Sequence, residues 1–417
     1  MDMLILKDVR CFHGVHELPL APLTILIGEN STGKSTILAA TRLAWDVGYG
    51  VGEPDFNEEP FDWGAYDQIA HFRGGRGGRA RTFVIGFERL LGKHRVRVEA
   101  TFAQRGAQAR LCNWQSQSEE ASISVEYAAN VEDATVVLNA RGWHHSVPLK
   151  HADVPRRVPL NYALMAFLGI KELPQEGRSL VELLGAASRS AVHHRPHAIA
   201  PIRTKPRRTY DRRKETYDSE GEHVPMILAG TKSGDPEKWT ELRKSLREFG
   251  SESGLFKSVN VKRLGRKESD PFQVQIGIAG PPTNLVDVGY GVSQVLPIAV
   301  DCLTTNPGQM LLMQQPEVHL HPRAQAELGS FMGYLVKERR NRFVIETHSD
   351  YLIDRVRLDV RDKKFLGPDA VSLLYCERKG VEVHAHRIQL DAEGNLLNPP
   401  PGYRRFFLEE EKRLFGG

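Results

Sequence analysis

The sequence predicts an α/β protein: a mixed, largely parallel sheet hung from a phosphate-binding loop, joined to an antiparallel β lobe and carrying a helical insertion. Three observations predict it. Residues 28–36 read Gly-Glu-Asn-Ser-Thr-Gly-Lys-Ser-Thr, directly after the apolar run Leu23 to Ile27. From about Arg81 to Ala140 short alternating runs are separated by Gly, Gln and Asn-rich turns, the pattern of an antiparallel meander. After Phe272, strand-length apolar runs alternate with helix-length segments, which is how a parallel sheet reads.

The loop comes first because its chemistry is specific. Gly28 and Gly33 let backbone N–H groups curl around a β-phosphate, with Asn30, Ser31, Thr32 and Thr36 completing the turn and its helix start. Lys34 reaches the β- and γ-phosphate oxygens, and Ser35 offers a hydroxyl to Mg²⁺. The helix opening there adds the positive end of its dipole. The chain therefore reads as one that binds a nucleoside triphosphate, ATP with Mg²⁺.

The remaining elements follow in order. Met3 to Asp8 and Leu23 to Ile27 read as strands, and Ser35 to Trp45 as a helix with one apolar face. Thr82 to Phe87, Val96 to Phe102, Ser122 to Tyr127 and Thr135 to Leu138 form the meander. Helices are predicted at Asn161 to Leu168, Leu180 to Ser188, and Pro236 to Phe249 behind an Asp235 cap. The α/β run comprises strand Phe272 to Ile278, helix Ser293 to Leu303, strand Met310 to Met313, helix Arg323 to Arg339, strand Arg342 to Glu346 and helix Asp350 to Leu358. Strands Val371 to Cys376 and Val381 to Arg387 and a helix Tyr403 to Leu414 close it. The boundaries drawn are 1–150 for an N-terminal ATPase lobe, 151–265 for a mainly helical insertion and 266–417 for a C-terminal ATPase lobe.

Composition narrows the function classes. Fifty-six basic against 52 acidic residues leave a net charge of +4, too small to make the whole chain a nucleic-acid binder, so any basic site is local. Cys11, Cys112, Cys302 and Cys376 are scattered without a CxxC pair, which argues against a zinc ribbon or disulfide frame. No signal-peptide pattern and no long apolar run is present, so a cytoplasmic, soluble protein without membrane contact is expected.

Four stretches resemble the ABC-type ATPase heads of SMC-like proteins, and among them the AAA family ATPases related to the overcoming-lysogenization-defect (OLD) proteins. They are residues 6–12, the segment Val288-Gly289-Tyr290-Gly291-Val292-Ser293-Gln294, the segment Met310 to Pro322, and Val344-Ile345-Glu346-Thr347-His348-Ser349. The resemblance implies an ABC-type P-loop NTPase head in which ATP is sandwiched between one subunit's phosphate loop and Gly291 and Ser293 of another's signature loop. It makes Gln314, Gln315, Glu317 and His348 the hydrolytic set, places Gln314 with Ser35 at the Mg²⁺, and makes Gln68 a candidate for the loop that senses the metal. His319 and His321 would lie in the loop that crosses the dimer interface.

The departure from the family lies at residue 314, where relatives carry Asp or Glu, commonly followed by Glu or Gln; this chain carries amides at both 314 and 315. An amide hydrogen-bonds water but neither takes its proton nor brings charge to Mg²⁺. Glu317 is the nearest carboxylate along the chain. Either hydrolysis is naturally slow and ATP acts as a lasting clamp, or an acid-to-amide change traps bound ATP; the sequence leaves both open. The resemblance further implies self-assembly as a homodimer or higher oligomer, and control of an effector protein, a nuclease or toxin encoded nearby, in bacterial antiphage defence. The rival readings are a non-hydrolysing ATP-dependent scaffold and an SMC-like DNA-binding ATPase in repair. No DxD pair follows His348, so a C-terminal nuclease is not expected. Arg203, Lys205, Arg207, Arg208, Arg212, Arg213 and Lys214 crowd one segment, readable as a phosphate-contacting patch for DNA or RNA or as a loop paired with acidic surface.

Overall fold

A computed structural model describes residues 2–49, 54–91, 93–128, 134–140, 143–149, 194–211, 216–405, 409 and 412–413. The predicted helices at 161–168 and 180–188, the cations at 212–214 and half of the predicted 403–414 helix lie outside the described residues.

The chain opens with β1 (Met3–Val9), β2 (Phe12–Pro19), β3 (Leu23–Gly28), helix α1 (Lys34–Tyr49) and the short α2 (Tyr66–Ile69). A meander follows: β4 (Thr82–Leu91), β5 (His94–Arg105), β6 (Gln108–Gln117), β7 (Ala121–Tyr127), β8 (Ala134–Ala140) and β9 (Trp143–Leu149). Then come β10 (His197–Ile199), α3 (Val224–Gly234), α4 (Pro236–Ser253), β11 (Ser258–Arg263), β12 (Phe272–Gly277) and β13 (Thr283–Asn284). The last part holds α5 (Tyr290–Thr304), β14 (Met310–Gln314), α6 (Pro322–Arg339), β15 (Arg342–Glu346) and α7 (Asp350–Arg361). Strands β16 (Val371–Lys379), β17 (Glu382–Leu390) and β18 (Leu396–Leu397) complete the sequence of elements.

Two large sheets result. One is antiparallel in the order β2-β1-β4-β5-β6-β7-β8-β9, and the other runs β10-β14-β15-β3-β16-β17-β18. In the second, β10, β14, β15, β3 and β16 are parallel, and β17 and β18 return antiparallel. Its central strands are buried on both faces, so they read as unbroken apolar runs rather than alternating ones. Leu26, Leu312, Val344 and Leu374 point to the core shared with α1 and the antiparallel lobe. Ile25, Leu311, Met313, Phe343, Ile345 and Leu373 point to the core under the helices.

Local signals placed the helices well. Asp235 caps α4 by accepting from Lys238 N–H at 3.0 Å, and Gly254 ends it in the left-handed region. Ser349 caps α7 through Leu352 N–H at 3.1 Å. One element departs from expectation: β12 is not part of the parallel sheet. It pairs with β11 and β13 in a separate three-stranded antiparallel sheet, which puts an amphipathic strand with alternating burial onto the helical core. Strands β2 and β6 were not legible because their residues are largely polar and half-buried, and neighbouring strands dictate their conformation. Among the described residues no helix is long and apolar enough to cross a membrane.

An aromatic cluster holds the antiparallel lobe to α2 and to the segment before it. Phe83, fully buried, lies 5.1 Å from Phe102, 5.7 Å from Tyr66 and 5.8 Å from Phe56, centroid to centroid. Phe83→Ala is expected to cost about 3–5 kcal/mol of stability, read from the midpoint of urea unfolding; a loss below about 1 kcal/mol would show that the lobe does not depend on this cluster.

Candidate functional site

Four strand ends converge on one edge of the parallel sheet: β3 runs into the phosphate loop, β15 ends at Glu346, β14 at Gln314, and β10 leads to Arg203. Ligands of parallel α/β sheets bind at this carboxyl edge. The loop between β3 and α1 is tightly built. A Cβ on Gly28 would come within 2.3 Å of the Cys376 carbonyl oxygen, and one on Gly33 within 2.7 Å of Cys11 Sγ. Both glycines have positive φ, at 143° and 84°, and Ser31 joins them at 61°. Thr32 Oγ1 donates to Glu29 O at 2.7 Å, while Arg378 on β16 donates to the Ser31 carbonyl, Nε at 3.1 Å. Asn30 is exposed and Thr36 buried, where the loop becomes helix.

Lys34 is 2% exposed and donates to the carbonyls of Gly28 and Glu29 at 3.0 and 2.6 Å. Burial pushes its ammonium below the usual lysine range, against the opposing pull of Glu346. Ser35 Oγ donates to Glu346 Oε2 at 2.7 Å, and Lys34 Nζ lies 3.8 Å from Glu346 Oε1. Glu346 is thus the carboxylate at the loop. Sequence reasoning had it within the strand before His348 but gave it no role, and looked to Glu317 instead because Glu317 is closer along the chain to Gln314. The register explains the difference: β15 lies between β3 and β14, and Gln314 is the lateral Cα partner of Glu346. An acid at the end of β15 stands beside the phosphate loop, where the amide of Gln314 is one strand further away.

Glu317 is nonetheless part of the same edge. It is 6% exposed, accepts from His348 N–H at 2.8 Å, and has its second oxygen without a hydrogen-bond partner. His348 is held below the usual histidine range by burial and then by the positive charge of Lys34, so its ring is neutral near pH 7. Gln315 takes a left-handed φ of 43° and donates its N–H to the Glu346 carbonyl at 2.8 Å, which locks the turn after β14 to the end of β15.

Arg203 is the residue whose burial the sequence did not announce. Only 1% exposed, it makes one hydrogen bond, Nη1 to Ala200 O at 3.2 Å, and leaves Nε and Nη2 unpartnered. Burial lowers its pKa to about 10, opposed by Glu317, so it stays charged. Buried donors without partners on a phosphate-binding edge are groups an anion would satisfy.

Other expected residues are placed differently. Ser293 is 4% exposed and its hydroxyl donates to Tyr290 O at 2.8 Å, inside the first turn of α5, so it does not face outward. What α5 presents is Gly289, Tyr290 (44% exposed) and the backbone N–H groups of Tyr290 and Gly291. Gln68 is turned onto its own helix: its Oε1 accepts from Ala65 N–H at 2.9 Å and closes the start of α2, so its amide is committed to a cap rather than to the metal position. His321 caps α6, accepting from Arg323 N–H at 3.3 Å, and His319 meets the Tyr290 ring edge-on at 4.7 Å. Much of the basic segment is spent internally: Arg207 pairs with Glu222, and Arg208 makes a two-pronged pair with Asp287 at 2.6 and 2.9 Å. The Arg208–Asp287 pair, with Asn284 Nδ2 donating to Arg208 O at 2.8 Å, binds the segment to the turn that leads into α5.

The residues at the loop suit a magnesium nucleotide. The glycine cradle and the α1 N-terminus fit a phosphate chain, and the Ser35 hydroxyl with the Glu346 carboxylate is an all-oxygen donor pair of the kind Mg²⁺ takes. Residues 277–354, which hold α5, β14, α6 and β15, match the family described as "AAA domain, putative AbiEii toxin, Type IV TA system". No curated protein matches the chain significantly. Among solved structures, an SMC head bound to the C-winged helix domain of ScpA aligns at 10% identity and TM-score 0.46, over 93% of this chain and 98% of that one. The SMC head domain from Thermotoga maritima aligns at 12% and 0.40, over 94% and 100%. An Smc head with an extended coiled coil from Pyrococcus furiosus aligns at 11% and 0.43, over 99% of both chains.

Glu346→Gln is expected to weaken Mg²⁺-dependent nucleotide binding by at least about tenfold, or ~1.4 kcal/mol, while Glu317→Gln changes it by less than about threefold. Titration calorimetry with ATP, with and without Mg²⁺, checks this; equal losses in the two variants would remove Glu346 from its assigned place.

Proposed function

We propose that this chain, an ATPase head of the SMC-like ABC type by fold, binds Mg-ATP at the edge formed by β3, β15 and β14 and uses it to hold two copies of itself together. The observation that carries this is the joint placement of Lys34, Ser35 and Glu346 at the phosphate loop, with the exposed N-terminus of α5 displayed separately. Ser35 and Glu346 would hold the Mg²⁺, which would supply positive charge to offset that of the phosphates. Lys34 and the loop N–H groups bind the phosphate chain, and Arg203 supplies buried positive charge to the same edge. Gly289, Tyr290 and Gly291 of one subunit would meet the terminal phosphate held by the other, through backbone N–H groups rather than the Ser293 hydroxyl.

Gln314 and Gln315 are hydrogen-bonding amides beside that site, so a water there is oriented without being deprotonated, and hydrolysis is slow. ATP then serves as a persistent clamp whose removal separates the subunits. This supports a cytoplasmic regulator that restrains a partner effector, a nuclease or toxin, in antiphage defence. The AAA-domain match and the defence-associated resemblance support that role. Nucleic-acid binding through residues 203–214 is disfavoured for the described part, where Arg203, Arg207 and Arg208 are buried or paired.

Three variants separate these claims in sedimentation velocity with and without Mg-ATP. Lys34→Ala is expected to lose ATP-dependent assembly. Gly289→Asp, at an exposed helix N-cap with open space around it, is expected to bind ATP normally yet fail to assemble, because its carboxylate occupies the helix N–H groups and repels phosphate. Ser293→Ala is expected to assemble like the parent chain; assembly by Gly289→Asp would sink the composite-site reading. In a phosphate-release assay Gln314→Glu is expected to raise turnover at least about tenfold, ~1.4 kcal/mol of barrier, and an unchanged rate would show that the amide at 314 is not what limits hydrolysis.

A further inference from the structure

A second cluster of chemistry-bearing side chains lies behind the phosphate loop, away from Glu346, and the nucleotide reading does not use it. His13 follows the β1–β2 turn, His71 follows α2, and Glu382 opens β17; one ligand atom from each lies within 4.8 Å of the others. Three segments distant in sequence meet there because β17 packs on β2, with Val383 N–H donating to Cys11 O at 2.9 Å and His71 N–H to Asp8 O at 2.9 Å.

Hydrogen bonding sets both imidazoles in the form a metal requires. His71 Nδ1 lies 2.7 Å from the Arg10 carbonyl oxygen. A carbonyl can only accept, so Nδ1 carries the proton and Nε2 keeps its lone pair. That Nε2 is buried without a hydrogen-bond partner, on a residue 1% exposed. His13 Nδ1 lies 3.0 Å from Asp8 Oδ1, which also accepts from Gly14 N–H at 2.9 Å. Because Oδ1 already accepts the Gly14 N–H, it faces His13 Nδ1 as an acceptor, and His13 Nε2 is likewise left open. Imidazoles tied at one nitrogen to a carbonyl or carboxylate are how proteins orient metal ligands.

The His13 and His71 rings are stacked, with centroids 5.1 Å apart and planes within 15° of parallel, so one ring must rotate for both in-plane lone pairs to reach a single ion. Two nitrogens and one carboxylate make a donor set that suits zinc or a similar first-row divalent ion better than Mg²⁺.

We propose that His13, His71 and Glu382 form a binding site for a zinc-class divalent cation, which ties the β1–β2 turn to β17. The same turn carries Cys11 and Phe12, the side chains packed against Gly33 of the phosphate loop. The ion would therefore brace the back wall of the nucleotide site without touching nucleotide. A second grouping, His197, His223 and Asp301, has ligand atoms equally close but the opposite tautomer. There His223 Nδ1 accepts from Asp218 N–H at 3.3 Å, so Nε2 holds the proton it donates to Asp301 at 2.9 Å and has no lone pair to give.

The test uses the full chain, stripped with a chelator and titrated with zinc chloride alone by calorimetry, with Co²⁺ absorption as the geometric readout. About one equivalent should bind and give the intense visible bands of a tetrahedral Co²⁺ site. His71→Gln and His13→Gln should each weaken binding at least tenfold, and Glu382→Gln, on a half-exposed strand end, should do so with the fold intact by circular dichroism. His197→Gln and Lys34→Ala should leave the stoichiometry unchanged, the latter showing that the ion is not at the nucleotide site. No binding by the parent chain, or loss of the equivalent in His197→Gln but not in Glu382→Gln, overturns the proposal.

Discussion

The lateral pairing of β15 with β3 is the constraint on which the site depends. Val344, Ile345 and Glu346 run in parallel register with Thr24, Ile25 and Leu26, so the strand that ends in Glu346 stops level with the turn into the phosphate loop. Apolar side chains on both faces hold that register, because a one-residue slip would turn Ile345 and Val344 to the wrong cores. The Ser35–Glu346 hydrogen bond is thus a consequence of sheet packing, made between residues from opposite ends of the chain.

The same logic organises the neighbouring parts. The segment after β10 is bound to the turn before α5 by Arg208, Asp287 and Asn284, and Gln294 of α5 donates to the Arg203 carbonyl at 3.5 Å. Buried Arg203 and the exposed start of α5 are therefore parts of one connected network. A change at α5 and a change at the buried arginine have a physical route to each other through these contacts. On the opposite side, Arg378 holds the Ser31 carbonyl and the β1–β2 turn packs on Gly33, so the phosphate loop is supported from both sheets.

Amides at 314 and 315 are consistent with this arrangement. The acid that meets the phosphate loop comes from β15, so the end of β14 can carry neutral side chains without depriving Ser35 of a carboxylate partner. The amides leave no carboxylate at the end of β14, one strand from the phosphate loop.

Several features were fully legible in the chain. The loop from Gly28 to Thr36, the buried strands before it and at Met310 and Arg342, and the cap at Asp235 each depend on local sequence: glycine conformational freedom, continuous apolar runs and a short polar cap. Residues whose role depends on which strands are neighbours were not legible. Glu346 was overlooked because strand order, not spacing, sets its distance from Ser35. Ser293 was misassigned because only packing decides which face of α5 is buried. His13, His71 and Glu382 carry no ligand spacing in the sequence, since their approach follows from the contact of β17 with β2. By itself the sequence determined the glycine-rich loop and the strand and helix that flank it. Tertiary structure alone decided which carboxylate stands beside that loop, which cations are spent internally, and which helix end is displayed, because each depends on side chains brought together across the sheet edge.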